Sequence, residues 1–410
     1  MQLLGRFSGT GMVEPGYLIR KPDGEFVMVS RLLYGLAKEL DGQRQIGEVT
    51  ARLNRGLDLT LDEDDTELLL EKLAPHGVIL GSEPSAPAPH PFLAATNRAT
   101  LVPARAVGRA ADFLQHLFHP AVVVTVLALA TAAHIAALRM GQPFDPTNAF
   151  REPAALLAVV AITFMGGLFH EFGHAAATSY GGAQPGPIGV GVYILWPAFY
   201  ADITESYAMD RRSRVRTDVG GVYFNLLLTM VLGGAYVGTG NQLWFWALLA
   251  QDVTIVQQFL PFMRLDGYYL ACDLAGVPDL FSLVRPVWSG LRGVPLGPNQ
   301  IALTKKVRLF VMSWTIAASV FLSWFGLNVA LHAPRIFDLA WTVIRQTWSL
   351  GFRDLAGGAP VAGAAGILVA GLVTVQASAL ALVIFRFSRL FAGALKSLAV
   401  KVSGRRRTAP

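Results

Sequence analysis

The pentad His170-Glu171-Phe172-Gly173-His174 follows almost directly on an uninterrupted apolar run, Ala154–Gly167, and that pairing limits what the chain can become. The run (AALLAVVAITFMGG) is greasy enough to cross lipid, so the pentad is delivered into or beside a membrane. On a helix, residues four apart share one face, and both imidazoles can then bind one Zn²⁺. Glu171 lies close enough to act as the base toward a zinc-activated water. With only eight histidines in 410 residues, chance produces this match in under about one chain in a hundred. Histidine and glutamate inside a membrane are expensive and mark function.

Bulk composition points to the same environment. Apolar residues make up 53% and charged residues 15%, against about 25% charged in soluble domains. The mean hydropathy is +0.45. A single cysteine, Cys272, excludes an internal disulfide framework and a thiolate zinc cluster. The net charge of +6 reads as membrane topology and not as a nucleic-acid partner, because the basic residues cluster beside apolar spans. Met1–Arg20 lacks the central apolar block of a cleavable signal peptide.

The chain divides by pattern into four parts. Residues 1–81 read as a small soluble α+β domain. It comprises a hairpin (Tyr17–Arg20, a turn at Lys21-Pro22-Asp23-Gly24, then Glu25–Ser30), helices at Arg31–Leu40, Ile46–Arg55 and Glu63–Leu73, and a closing strand near Gly77–Leu80. Residues 82–100 form a Pro/Ala linker, residues 101–390 a transmembrane domain, and residues 391–410 a basic tail. The fold class is therefore a polytopic α-helical membrane protein with a small N-terminal α+β domain. About six spans are predicted, near 120–138, 154–178, 218–238, 243–262, 308–331 and 359–386.

Positive residues orient these spans. Arg98, Arg105 and Arg109, then Arg211, Arg212, Arg214 and Arg216, then Arg264, Arg285, Arg292, Lys305 and Lys306, and finally the tail all fall on one side. Both termini are thus expected in the cytoplasm of a multi-pass cell-membrane protein. Arg139, Arg151, Arg335, Arg345 and Arg353 fall on the other side, where Ile336–Leu350 is read as an interfacial helix.

A catalytic zinc needs a third protein ligand and an open position. The soluble continuation of the motif fails, since Ala177 and Tyr180 stand where glycine and histidine are required. Asp202, Glu205 and Asp266 remain as acidic candidates near membrane ends. Of these, Asp266 stands in Leu265-Asp266-Gly267, on the same expected side as the pentad.

His170–His174 together with Leu265-Asp266-Gly267 resembles the pair of signatures of the site-2 protease family of intramembrane zinc metalloproteases. Gly221-Val222-Tyr223-Phe224-Asn225 resembles that family's glycine-and-asparagine motif on the intervening helix. The resemblance covers roughly residues 154–276. It implies His170, His174 and Asp266 as zinc ligands, Glu171 as general base, and Asn225 as a substrate-positioning residue on an unwound backbone. Pro261–Leu270 with Asp273-Leu274, and Pro197–Asp202 in the stretch after the pentad, are similar to the peptide zinc metalloprotease branch, which implies a peptide-maturation role. Leu40-Asp41-Gly42 with Ile46 makes residues 1–81 resemble the PqqD-like leader-binding fold.

The function expected is zinc-dependent hydrolysis of a peptide bond in a peptide precursor, with the leader held by residues 1–81. A peptide exporter is a candidate partner. Two further readings stay open: a signalling site-2 protease cutting a membrane-bound regulator, and a non-catalytic exporter component. His134 is the other ionisable group inside a span, open to a packing or a functional role. The pairs Gly166-Gly167 and Gly220-Gly221 suit close helix packing.

Overall fold

The computed structural model describes residues 1–21, 26–79, 96–141, 152–193, 196–291 and 303–407. The expected turn at residues 22–24, most of the linker, the loop 142–151 with Arg151, and Arg292 lie outside the described residues. The chain separates into two compact units, one of residues 1–139, 163–240 and 248–324, the other of residues 140–162, 241–247 and 325–410.

The first unit begins with a three-stranded antiparallel sheet in the order β1 (Gln2–Arg6), β2 (Tyr17–Arg20), β3 (Phe26–Val29). Period-two alternation turns Ile19 and Val29 inward onto helices α1 (Arg31–Glu39), α2 (Ile46–Leu57) and α3 (Glu63–Leu73). Each helix start has a physical cause. The Ser30 hydroxyl accepts from the Leu33 amide at 3.3 Å, and Asp62 and Asp65 form a reciprocal capping box at 2.7 and 3.3 Å. The core closes on Ile19, Leu36, Leu53 and Leu73.

The three expected helices and the hairpin are present, but two details differ. β1 was not expected, because its short QLLGR sequence gains strand character only by pairing with β2. The expected closing strand is absent at residues 78–79. There the chain leaves α3 through the single turn Ala74–His76 and reverses at Gly77, whose φ of +66° suits glycine.

Beyond the linker come α4 (Ala104–Leu114), α5 (Pro120–Met140), α6 (Pro153–Tyr180), α7 (Arg211–Thr239), α8 (Gln242–Gln258), α9 (Asp266–Ala275), α10 (Leu280–Leu291), α11 (Lys305–Ala356) and α12 (Pro360–Arg407). Among the described residues, five helices are long and apolar enough to cross a membrane: α5, α6, α7, α11 and α12. α8 has 17 residues, about 26 Å of helix against a hydrocarbon core of about 30 Å. Val124, Met165, Val320 and Leu331 are largely exposed on these helices, as lipid contact requires. α7 is the most buried of these: half of its apolar stretch is buried, against 17% in α5 and α6.

A second antiparallel sheet, in the order β4 (Thr96–Val102), β5 (Ile188–Tyr193), β6 (Trp196–Ala201), pairs a strand before α4 with the hairpin that follows the pentad helix. It corrects the linker boundary, because residues 96–100 are strand and not linker. Their partner β5 lies far along the chain, so no local signal announces the pairing. The stretch Pro197–Asp202 is the outer strand of this hairpin and its following turn.

The break expected between the spans 308–331 and 359–386, with Ile336–Leu350 as a separate interfacial helix, is also corrected. α11 continues through Pro334 to Ala356 as one 52-residue helix, about 78 Å long and more than twice a bilayer core. Arg335 and Asp338 end the apolar signal without ending the helix, since Arg is a good helix former and a single Asp costs well under about 1 kcal/mol. In the second unit, the later part of α11 turns back into α12 at Gly357-Gly358, where Gly358 has φ +79°. There Gly351 and Gly366 sit in close contact, and Trp348 Nε1 donates to Thr374 Oγ1 at 3.2 Å. The backbone is helical through most of the expected tail, to Arg407.

Candidate metal centre

α6 carries His170 and His174 one turn apart on a single face, as their spacing predicts. Both are buried, at 4% and 6% exposure. Asp266 opens α9 and reaches them from a different part of the chain. Its Oδ2 lies 2.9 Å from His170 Nε2 and 3.4 Å from His174 Nε2, and the two nitrogens are 3.1 Å apart. Three ligand atoms bound at about 2.0–2.1 Å in tetrahedral geometry would stand roughly 3.3 Å from each other, so the observed triangle has the right size for one metal ion. These three residues are the only such group of His, Cys, Asp and Glu among the described residues.

The donor chemistry fits as well. His174 Nδ1 lies 2.7 Å from the Thr217 carbonyl. That carbonyl can only accept, so Nδ1 carries the proton and Nε2 presents its lone pair to the centre. Asp266 Oδ2 is buried and makes no hydrogen bond, although it faces both imidazoles. His170 Nδ1 is likewise buried without a partner. The space itself is held open by Gly221 on α7: a Cβ there would stand 2.5 Å from His174 Nε2 and against His170 Nε2.

Small residues bring α6 and α7 this close. A Cβ on Gly220 would sit 2.6 Å from the Gly173 carbonyl oxygen and 2.9 Å from Ala177 Cβ. The helices cross backbone to backbone there, as the glycine pairs suggested. Asn225 lies one turn beyond Gly221, 2% exposed, with its amide oxygen unpartnered. Gln251 of α8 is in the same condition, and its Oε1 lies 2.9 Å from where a Cβ of Gly166 would be.

Glu171 lies near the β5–β6 hairpin. The Asp202 N–H donates to Pro187 O at 3.0 Å, back into the β5–β6 pair. Successive amides alternate in direction, so the Ala201 N–H points off the outer side of β6. The Ala201 amide is among the groups near the Glu171 carboxylate. The outer edge of β6 therefore runs near the candidate base.

The other two acidic candidates are engaged elsewhere. Asp202 Oδ1 accepts from the Thr204 hydroxyl at 2.6 Å and the Thr204 amide at 3.1 Å, as a turn aspartate does. Glu205 forms an ion pair with Arg20. His134 has a partner that the sequence did not disclose, with its Nε2 lying 3.3 Å from Asp252 Oδ2 on α8. The Thr217 carbonyl and the steric role of Gly221 were also missed, and only the three-dimensional crossing of α6 and α7 reveals them.

A 152-residue stretch of the chain is 24% identical to the Bacillus subtilis (strain 168) protein named "Putative peptide zinc metalloprotease protein YydH", covering 35% of this chain and 60% of that protein. This supports a zinc metalloprotease relationship. No family model matches the chain, and no solved structure matches it.

Proposed function

We propose that this protein is an intramembrane zinc metalloendopeptidase of the site-2 type, acting on a peptide precursor. The observation that carries the reading is the convergence of His170, His174 and Asp266 on one point, with Glu171 beside them, on a helix apolar enough to cross a membrane. Zinc held there would polarise the scissile carbonyl and lower the pKa of attacking water towards about 7.

The chain's own groups supply the rest. Glu171, with the Ala201 amide near its carboxylate, takes the proton from the attacking water and returns it to the departing amine. A helical substrate shields its peptide bonds, so it must be extended before attack. The outer edge of β6, which no described strand covers, offers backbone pairing for such an extended segment. Asn225, with its unpartnered amide oxygen facing the same α7 surface as Gly221, is suited to hold that backbone. The N-terminal sheet and three helices suit a PqqD-like peptide-binding role, with β1 and β3 as free edges for a leader. The name of the Bacillus subtilis relative favours a peptide substrate over a signalling regulator.

The deciding experiment compares purified wild type with Glu171→Gln for metal content and for cleavage of a precursor peptide. Cleavage should vanish while zinc stays bound. Full activity in the variant would remove the hydrolase assignment.

A further inference from the structure

At 1% exposure, Arg214 is the largest fully buried side chain among the described residues. Its Nε donates to Asp273 Oδ1 at 2.8 Å, its Nη1 to Met209 O at 2.9 Å, and its Nη2 to Ser8 O at 3.0 Å. The guanidinium also lies 4.2 Å from the centre of the Phe7 ring. A charge leaves water this completely only where its donors are satisfied. One planar fork thereby joins the start of α7, the end of α9 and the N-terminal segment.

The spacing of these groups carries the consequence. Arg214 precedes Gly221 by seven residues on α7, and Asp273 follows Asp266 by seven on α9. Seven residues are two turns, so each pair shares a face about 10 Å apart along its helix. The two helices run in opposite directions, joined by Arg214–Asp273 at one end. At the other, Gly221 and Asp266 both border His170 and His174.

The N-terminal segment grips the same helix end. Gly11 N donates to Gly276 O at 2.8 Å, Thr304 N donates to Gly11 O at 3.3 Å, and Arg211 donates to Leu274 O. Gly276 terminates α9 with φ +69°, and a Cβ there would stand 2.5 Å from Gly11 N. A Cβ on Gly11 would run into the Ala275 carbonyl.

We propose that Arg214 is a positioning residue for the metal centre and that the Phe7–Met12 segment completes the device. Together they hold α9 so that Asp266 meets the two histidines. The N-terminal domain is then a component of the centre and not a tethered accessory. The inference rests on the zinc reading of that centre.

The test uses the full-length protein in detergent. One variant pairs Arg214→Met with Asp273→Leu, which removes both charges and leaves neither orphaned. A second, Gly11→Val, forces the segment away from the end of α9 by its clash with the Ala275 carbonyl and substitutes no residue of α7 or α9, and Arg214→Lys keeps the charge alone. Zinc affinity is read by chelator competition, and the Tm of the metal-free protein is read in parallel. The double variant and Gly11→Val should each weaken zinc by about 10–100-fold with little change in metal-free Tm, and Arg214→Lys should fall between. Wild-type affinity in the folded variants would overturn the proposal, as would a loss of zinc tracking an equal loss of metal-free stability. If the double variant does not fold, Gly11→Val decides alone. A wild type that binds no zinc would instead overturn the hydrolase reading itself.

Discussion

Gly221 faces His174 so closely that a methyl group on it would stand 2.5 Å from Nε2, in the space the candidate metal requires. Alanine is favoured over glycine in a helix by about 1 kcal/mol, so Gly221→Ala should not weaken α7 locally. It should nonetheless abolish zinc binding and cleavage, because the methyl group competes with the ion for one volume. Metal analysis of the purified variant checks this. Retention of a full equivalent of zinc would mean that the centre lies elsewhere.

What could be read from the sequence, and what could not, follows the range of the interactions. The i, i+4 spacing of His170 and His174 is a local property of one helix and is found as expected. Asp266 was singled out by its Leu-Asp-Gly setting, and the geometry brings it to within 3.4 Å of both imidazoles. The partners separated by long stretches of chain left no local trace. β4 against β5, Arg214 against Asp273, and His134 against Asp252 each require two distant segments to be seen together. The long helix α11 was missed for another reason, since a hydropathy window stops at Arg335 while the helix does not.

Membrane orientation is open to labelling. The distribution of lysine and arginine predicts both termini in the cytoplasm, with Asn148 outside. The native Cys272 gives little background, because it is buried and burial pushes its thiol up to about 12, leaving almost no reactive thiolate. Asn148→Cys should react with an impermeant maleimide on intact cells, and Thr408→Cys only after lysis. Reaction of Thr408→Cys on intact cells would invert the topology.

Leader recognition predicts a split between two substrates. A leader adding to β3 or β1 as a further strand would bind through backbone hydrogen bonds. An added free leader peptide should slow hydrogen exchange in Phe26–Val29 or Gln2–Arg6. It should also raise KM for the full precursor while leaving a leaderless fragment unaffected. Equal effects on both substrates would leave residues 1–81 as a structural domain.

The third ligand separates sharply from its competitor. Asp266 Oδ2 is buried, lacks a hydrogen bond and faces two imidazole nitrogens, whereas Asp202 Oδ1 is already saturated by the Thr204 amide and hydroxyl. A carboxylate at 266 completes a two-histidine, one-carboxylate set and leaves a fourth position for water. Loss of one of three ligands should strip zinc from the protein, while a residue outside the ligand set changes affinity by about 10–100-fold at most. Asp266→Ala should therefore purify without zinc and without activity. Asp202→Ala should keep most of its zinc and be impaired chiefly through the β6 turn, whose backbone leads to Ala201 and Glu171. Zinc contents in the reverse order would move the metal from α9 to the sheet.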